Sequence, residues 1–469
     1  MNKVTNSKIN FLVSEARPVA RANDTDAYVP EVWAQESLMV LEENMVAANL
    51  VHRAFSNEVA EHGDVVNTRR PANFEAVRKV STDDVTVQDA TADNVQVKLN
   101  QHIHTSFRIP DADMSKSFKN LVIEYLTPAV RSISKAVDQV ILGQTYQFLP
   151  NVVGSLGTDP GKSTVIAANT KMNTNLAPVG AGQRNFIITP SVEGALLDVS
   201  DFTKVNEAND GGNALQNAML GRKFGFDFYM DQNACSVAAT QTVVTGAVNL
   251  VGGYAAGTTT LAIDGHSDTF VTGQWITIAG DMVPQLLTAV TGIPTTSISI
   301  YPGLVSAVAN DAVITLYPQG TVNLSAGYVA GWVKPIVTTF SEAPLTSQMV
   351  STGITSAYNA YSAIGTPTTI ALNLDRETQA ALSNGDALNL GPAGQYCLGI
   401  HPNAIALVSR PLALVPSQFG VQQAVVSHNG LSIRVSMQYS GTSQGMLVTA
   451  DLLCGVKVLD VNLGVVMLG

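Results

Sequence analysis

The stretch Asn94-Val-Gln-Val-Lys-Leu-Asn-Gln-His-Ile-His-Thr-Ser-Phe-Arg-Ile-Pro110 decides the fold. Val95, Val97, Leu99, Ile103, Phe107 and Ile109 alternate with Gln96, Lys98, Asn100, His102, His104, Ser106 and Arg108, and only Gln101 and Thr105 interrupt the apolar side. Period two predicts a strand with one face on a core. Pro110-Asp111 marks a turn and Ser115 an N-cap. From Lys116 the period lengthens. Phe118, Val122, Tyr125, Ala129, Ile133, Ala136 and Val140 recur every three or four residues, predicting a helix that runs to about Gln147. That is a rod of roughly 45 Å, with Pro128 inside it to kink or break it. A very long strand feeding a long helix suits a subunit that grips its neighbours better than a compact enzyme.

Upstream, residues 1–27 are polar and aperiodic and read either as an extended arm or as a disordered tail. Lys3, Lys8, Arg17 and Arg21 outnumber Glu15 and Asp24 there. Pro30-Glu31 opens a first helix expected to end near Phe55, with Ala34, Leu38, Leu41, Met45 and Ala48 or Asn49 on its apolar face. Residues 56–110 read as a long two-stranded excursion with its tip between Val80 and Asn94. Arg69, Arg70, Arg78 and Lys79 lie on the outgoing side, while Asp83, Asp84, Asp89 and Asp93 crowd the tip. Like charges at a hairpin tip repel. They fit either a solvated loop that protects an edge or a tip that meets a basic surface elsewhere.

Downstream, residues 151–170 read as a Gly/Asn/Ser/Thr-rich loop, Phe186–Pro190 as a buried strand, Ser191–Leu197 as the start of a short helix and Gly221–Tyr229 as a turn into a strand. From Val243 to Pro318 short alternating strands separated by Gly and Pro predict an all-β barrel or sandwich set into an α/β region. Residues 319–394 extend that module or add a second β-rich lobe. Ala404–Val408 is a buried strand, and a hairpin turns at Asn429-Gly430 with Leu431, Ile433, Val435, Met437 and Tyr439 on one side. Met446–Asp451 and Gly455–Leu459 read as two further strands, and the apolar 464–469 tail as a paired one.

The 469 residues are 46% hydrophobic and only 13% charged, which fits burial in subunit contacts or simply a β-rich, Ala/Val/Thr/Gly-rich protein. With 26 basic against 37 acidic residues the net charge is −11, which argues against tight nucleic-acid binding while allowing an acidic wall beside DNA. Cys235, Cys397 and Cys454 are odd in number and far apart, so they read as buried thiols in a reducing compartment. No signal-peptide core and no bilayer-length apolar run appear, which points to a protein made and kept in a cytoplasm.

Catalytic patterns are weak. Gly161-Lys162-Ser163 resembles the end of a phosphate loop, but Leu156 occupies the position of the earlier glycine and no strand–loop–helix unit is expected around it. His102 and His104 share a strand face, yet no further His or Cys lies nearby in sequence, so they read as surface histidines rather than a metal site. His401 and His428 read as structural. No cofactor, metal or catalytic constellation is expected.

The order of parts, with Pro30-Glu-Val-Trp33, Gly63-Asp64-Val-Val66, Arg222-Lys-Phe-Gly-Phe-Asp-Phe-Tyr229, Gly273-Gln-Trp-Ile-Thr-Ile-Ala279, His401-Pro-Asn-Ala-Ile-Ala406, Arg410-Pro411, Gly430-Leu-Ser-Ile-Arg-Val435 and Asp451-Leu-Leu-Cys-Gly455, resembles the major capsid proteins of tailed double-stranded-DNA bacteriophages. Within them it is similar to the group carrying an inserted immunoglobulin-like module. The resemblance implies an α+β Johnson-type fold and no enzyme activity. It implies an N-terminal arm (1–27), a first P-domain helix (28–55), an E-loop (56–110) and a P-domain spine helix (111–150). It further implies an A-domain (151–242), the inserted module (243–318), a β-rich extension (319–394) and closing strands (395–469). Residues 319–394 exceed the family pattern. It also implies hexamers and pentamers in an icosahedral shell, a scaffolding protein, a portal, room for a decoration protein, enclosed DNA without sequence-specific binding, no membrane, and assembly in the host cytoplasm. On this reading Asp83, Asp84, Asp89 and Asp93 meet a neighbouring chain. An encapsulin-like compartment and a β-rich phage adhesin or tail component are the rival classes.

Overall fold

The computed structural model describes residues 30–53, 65–69, 76–79, 87, 94–111, 125–180, 182–203, 217–237, 244–265, 270–281, 283–292, 295–317, 322–323, 336–337, 348–352, 357–366, 369–374, 381–384, 387–392, 394–416, 421–428, 430–442 and 444–469. Helix α1 spans Pro30–Asn44 and buries Trp33, Ala34, Leu38 and Leu41. It stops well short of Phe55. Past Asn44 the chain turns so that the N–H groups of Val46 and Ala48 meet the buried Asp138 carboxylate. Met45 and Ala48, expected on the helix face, are buried in that turn instead.

Strands β1 (Val65–Arg69) and β2 (Asn94–Lys98) pair antiparallel, Val65 opposite Lys98 and Arg69 opposite Asn94. Strand β3 (Gln101–Pro110) follows after a break at Leu99-Asn100. The single long strand expected here is thus two, because its halves pair with different partners. The alternation holds across β3: Gln101, Ile103 and Ile109 are buried, and His102, His104, Ser106 and Arg108 are exposed.

Helix α2 (Thr127–Leu142) places Pro128 in its first turn, where the missing N–H costs least, directly after a wider π turn at Tyr125-Leu126. The start expected at Lys116 lies outside the described residues. The far end is shorter than expected: a 3-10 run, Gly143–Asn151, replaces the last stretch before Pro150. Ala129, Ile133 and Val140 are buried as the spacing requires, but Val130, Val137, Asp138 and Ile141 are buried too, so the covered arc is wider than the stripe.

Then come β4 (Val152–Gly154), α3 (Lys162–Thr174), β5 (Asn185–Ile188), α4 (Pro190–Asp198), β6 (Arg222–Lys223), β7 (Phe226–Met230) and β8 (Cys235–Val237). Residues 151–170 are therefore not a loop throughout. Val165, Ala168 and Met172 bury one side of α3, a stripe diluted in sequence by Thr and Asn.

The next six strands, β9 (Val244–Val248), β10 (Thr260–Asp264), β11 (Trp275–Ile278), β12 (Gln285–Thr291), β13 (Ser297–Tyr301) and β14 (Val313–Tyr317), form a closed barrel of order β10-β13-β12-β11-β14-β9. It has its own core, including Leu261, Ile276, Leu287, Ile298 and Ile314. A closed barrel is not the two-sheet sandwich that an immunoglobulin-like module requires. Strands β15 (Val322–Asn323), β16 (Ile336–Val337), β17 (Gln348–Thr352), β18 (Ala357–Thr366), β19 (Thr369–Leu374) and β20 (Ala387–Leu390) make a second sheet, β15-β20-β17-β18-β19-β16. Each unit closes on its own ends: Val244 pairs with Leu316, and Val322 with Leu388.

The closing strands are β21 (Gly394–Ile400), β22 (Ile405–Arg410), β23 (Val421–His428), β24 (Leu431–Ser440), β25 (Gly445–Val458) and β26 (Gly464–Leu468). A mixed sheet runs β4-β26-β21-β5-β7-β6, with β8 also on β21, so Val237 sits opposite Gly394. Strand β26 is buried throughout.

The central sheet is built on β25, one continuous strand where two were expected. Residues 445–454 pair with β3 along one edge, while β24 and β22 lie end to end along the other. Gly455, expected to begin a separate strand, sits where a Cβ would overlap the Lys98 carbonyl oxygen. It keeps the strand unbroken beneath the crossing chain. Helices α1 and α2 cover one face of this sheet, joining Trp33, Leu41, Ile133 and Val137 to Ile103, Val435, Val448 and Leu452 in one core.

Candidate functional site

The resemblance calls for surfaces, not a catalytic cleft, and three features bear on it. The first is the ribbon of β1 and β2. Among the described residues these strands pair with each other alone, in a two-stranded sheet. The ribbon is held at its root, where Val97 is fully buried against Ala406 and Val408. An isolated two-stranded ribbon has no core of its own and is marginal in water.

Of the charged residues singled out in the ribbon, Arg69 ends β1 opposite Asn94, and Arg78 and Lys79 are exposed. Arg70, the tip carboxylates Asp83, Asp84, Asp89 and Asp93, and the arm residues Lys3, Lys8, Arg17 and Arg21 lie outside the described residues. No pairing among them is defined.

The second feature is a polar pin under α2 that sequence reasoning missed. Asp138 is 1% exposed; its Oδ2 accepts from Val46 N at 2.8 Å and its Oδ1 from Ala48 N at 2.9 Å. Ser134, one turn earlier, donates to Leu41 O at 3.3 Å. Burial, and then the nearby charge of Asp231, push the Asp138 carboxyl up to about 7 against the pull of the backbone N–H groups. Burial also raises Asp231. The available signal was Ser134 and Asp138 four residues apart beside an otherwise apolar stripe.

The third is the other face of the central sheet, which no described helix covers. Register puts Arg410, Leu453 and His102 in one row, Arg434, Asp451 and His104 in the next, then Ser436, Thr449 and Ser106, then Gln438, Leu447 and Arg108. Arg434 grips Asp451 with Nε at 3.0 Å and Nη2 at 2.5 Å, and donates through Nη1 to Ala413 O at 2.7 Å. His102 Nε2 lies 3.3 Å from the same carboxylate. Ser106 and Thr449 hydroxyls are 2.9 Å apart. Bidentate Arg–carboxylate geometry fixes this centre.

Other candidates resolve into structural roles. A strand–loop–helix unit does frame Gly161-Lys162-Ser163, contrary to expectation: β4 leads through the loop into α3, with Gly161 at the N-cap. Lys162 Nζ is nevertheless held by Asp201 at 2.6 Å and lies 6.0 Å from the Phe224 ring centroid. His401 is buried and its Nδ1 accepts from Asn403 N at 3.2 Å; burial, then Arg184, hold its pKa down. His428 is exposed beside the hairpin turn. All three cysteines are buried free thiols. Among the described residues no three His, Cys, Asp or Glu gather as a metal site, and no helix is long and apolar enough to cross a membrane.

No family model matches the chain, and no curated protein matches it. Among solved structures it is similar to a chain of Mycobacterium phage Che8 at 11% identity, covering 90% of each chain, with a TM-score of 0.41. It is also similar to the capsid of cyanophage P-SCSP1u at 8% identity, covering 87% of this chain and 84% of that one, TM-score 0.40. The capsid of Ralstonia phage GP4 aligns at 7% identity with coverage of 87% and 84%, TM-score 0.40. At this level of likeness the chain's own geometry has to carry the functional reading.

Proposed function

We propose that this chain is the major capsid protein of a tailed double-stranded-DNA phage, built on the Johnson fold. The observation that carries the reading is the two-stranded β1–β2 ribbon, rooted by Val97 on Ala406 and Val408 of a helix-backed sheet. Such a ribbon is stable when something outside its own domain covers it, and a neighbouring copy supplies that cover in a shell. On this reading residues 56–110 are the E-loop and α2 is the spine helix of the P-domain. The β4–β8 region with β21 and β26 is the A-domain, and residues 1–27 are an arm that latches onto neighbours. The β9–β14 barrel is the inserted module, and the β15–β20 sheet is an additional lobe.

The work is structural: many modest contacts, each repeated by symmetry until a closed shell is stable. Hexamers and pentamers, a scaffolding protein, a portal and a decoration protein are the partners this reading brings, with assembly in the host cytoplasm. Expression alone and with the scaffold, followed by electron microscopy, tests it. Closed icosahedral shells are expected, and deletion of residues 65–98 should leave soluble subunits that form none. A chain that stays monomeric under all assembly conditions, or forms fibre-like trimers, overturns the proposal.

A further inference from the structure

We infer that Asp138 and Asp231 form a proton-operated latch between the helix-backed central sheet and the mixed sheet, closed while the pair keeps one proton and loosened when both carboxylates are charged. The two side chains come from different layers. Asp138 lies in α2, is 1% exposed, and holds the Val46 and Ala48 N–H groups. Asp231 lies in the turn between β7 and β8 and is 3% exposed; its own N–H donates to Ile188 O of β5 at 3.0 Å. Ile187 and Cys235, on either side of that turn, pack in one core with Val137 and Ile141 of α2. The two carboxylates therefore flank the joint where the sheets meet.

The hydrogen bonds leave the pair one partner short. Both Asp138 oxygens accept from backbone donors. Asp231 Oδ1 accepts from Asn233 N at 2.8 Å and Asn233 Nδ2 at 3.0 Å, but its Oδ2 is buried with no partner among the described residues. A charged oxygen left without a donor in a core is costly, and a like charge nearby adds to the cost. Such a pair keeps one proton and titrates as a unit. In keeping with this, burial raises both carboxyls, and the charge of Asp231 pushes Asp138 further up, to about 7.

Neither carboxylate meets a base among the described residues. Around Asp138, β3 and β25 turn His102, His104, Arg108 and Asp451 to the open face, and Lys457 is exposed. The charges of α1 are all acidic, Glu31, Glu36, Glu42 and Glu43. The turn 46–49 has no titratable side chain, residues 143–151 bring Tyr146, and β18 carries Tyr358 and Tyr361. Around Asp231, β5 has no titratable side chain, and Asp227 of β7 lies 3.7 Å from Arg222. Cys235 of β8 is a buried thiol, and Tyr396 of β21 donates to Pro392 O.

Infrared spectroscopy and hydrogen exchange on the full-length chain test the latch, whether or not the chain forms shells. Near pH 6 wild type should show the carbonyl stretch of a neutral carboxylic acid, largely lost by about pH 8 and missing from the Asp138→Asn, Asp231→Asn double variant. With intrinsic rates corrected for, residues 46–48 and 231–235 should open about tenfold more at pH 8 than at pH 6 in wild type. Asp231→Asn removes the like charge, so Asp138 gives up its proton at lower pH and the rise at residues 46–48 over that interval should fall to about twofold. Asp138→Asn should do the same at residues 231–235. Each substitution is thus read on the far side of the joint, where a purely local role would change nothing. Single variants whose far segment keeps the full rise overturn the latch. So does a wild-type spectrum without the neutral-acid band near pH 6, a result that needs no variant to fold.

Discussion

Asp138 Oδ2 accepts the Val46 N–H at 2.8 Å across 92 positions of sequence, so the helix behind the central sheet decides where α1 ends. Replacing Asp138 by Ala leaves two backbone donors, Val46 N and Ala48 N, without their acceptor. At about 1–3 kcal/mol for each orphaned buried group, a loss of roughly 2–6 kcal/mol is expected. Chemical denaturation of the unassembled subunit measures it. A loss under about 0.5 kcal/mol would place the turn under other control.

The same carboxyl gives a pH dependence. Its folded pKa, about 7, lies above the usual value of 3.8, so the folded state holds its proton more tightly than the unfolded state. The stabilising contribution is complete below pH 3.8 and is lost as pH rises through about 7. Wild type should therefore lose stability relative to Asp138→Asn between pH 5 and 8, by about 2–3 kcal/mol. Asp231, also raised by burial, contributes with the same sign. Melting temperatures of both proteins across that range check the slope; parallel curves would contradict it.

Arg184 is fully buried and donates to Pro178 O at 3.0 Å, Asn169 Oδ1 at 2.6 Å, Asn173 Oδ1 at 2.8 Å and Ala177 O at 2.5 Å. Its planar fork ties α3 to β5. Arg184→Lys presents a point charge that cannot span these acceptors, and a cost of about 2–4 kcal/mol is expected. Hydrogen exchange should quicken first over residues 162–174.

Gly455→Ala places a methyl group on the Lys98 carbonyl oxygen. The ribbon root must lift, exposing Val97, which is otherwise fully buried. Limited proteolysis should then cut near residues 94–100 several times faster, with the β24–β25 pairing intact. Unchanged cleavage would mean that the strand absorbs the methyl group elsewhere.

The barrel should fold on its own. Its first and last strands pair, and its core is internal. A fragment of residues 243–318 should unfold cooperatively when followed by far-ultraviolet circular dichroism, with Trp275, which packs in the core shared with the rest of the chain, already exposed in the folded fragment. A molten fragment would show that the barrel leans on the rest of the chain.

How much of this was legible in the sequence differs by element. The β3 faces were readable because Ile103 and Ile109 point to a core while His102 and His104 do not. The Leu99-Asn100 break was not, since alternation runs through it and only pairing partners change. The end of α1 was hidden because its cap comes from Asp138. In β25 the expected gap between Asp451 and Gly455 is absent, and Gly455 answers a close approach from Lys98. Residues 319–394 gave little because Ser, Thr, Ala and Gly leave weak periodicity, and backbone pairing organises the six strands there. For the candidate site, the bases of β3 were visible by position. Their rows with Arg434, Asp451 and Arg410 depend on register across three strands, which no local pattern encodes.

The pairing of Val237 with Gly394 has a consequence for folding order. Two strands so distant along the chain meet slowly if the intervening polymer is loose, because closing a long loop is entropically costly. Here the barrel and the sheet after it each join their own ends, so once both have formed the effective tether shrinks to a few short links. The lobes between β8 and β21 thereby act as staples, and the sheet that unites the molecule can zip late without a long search.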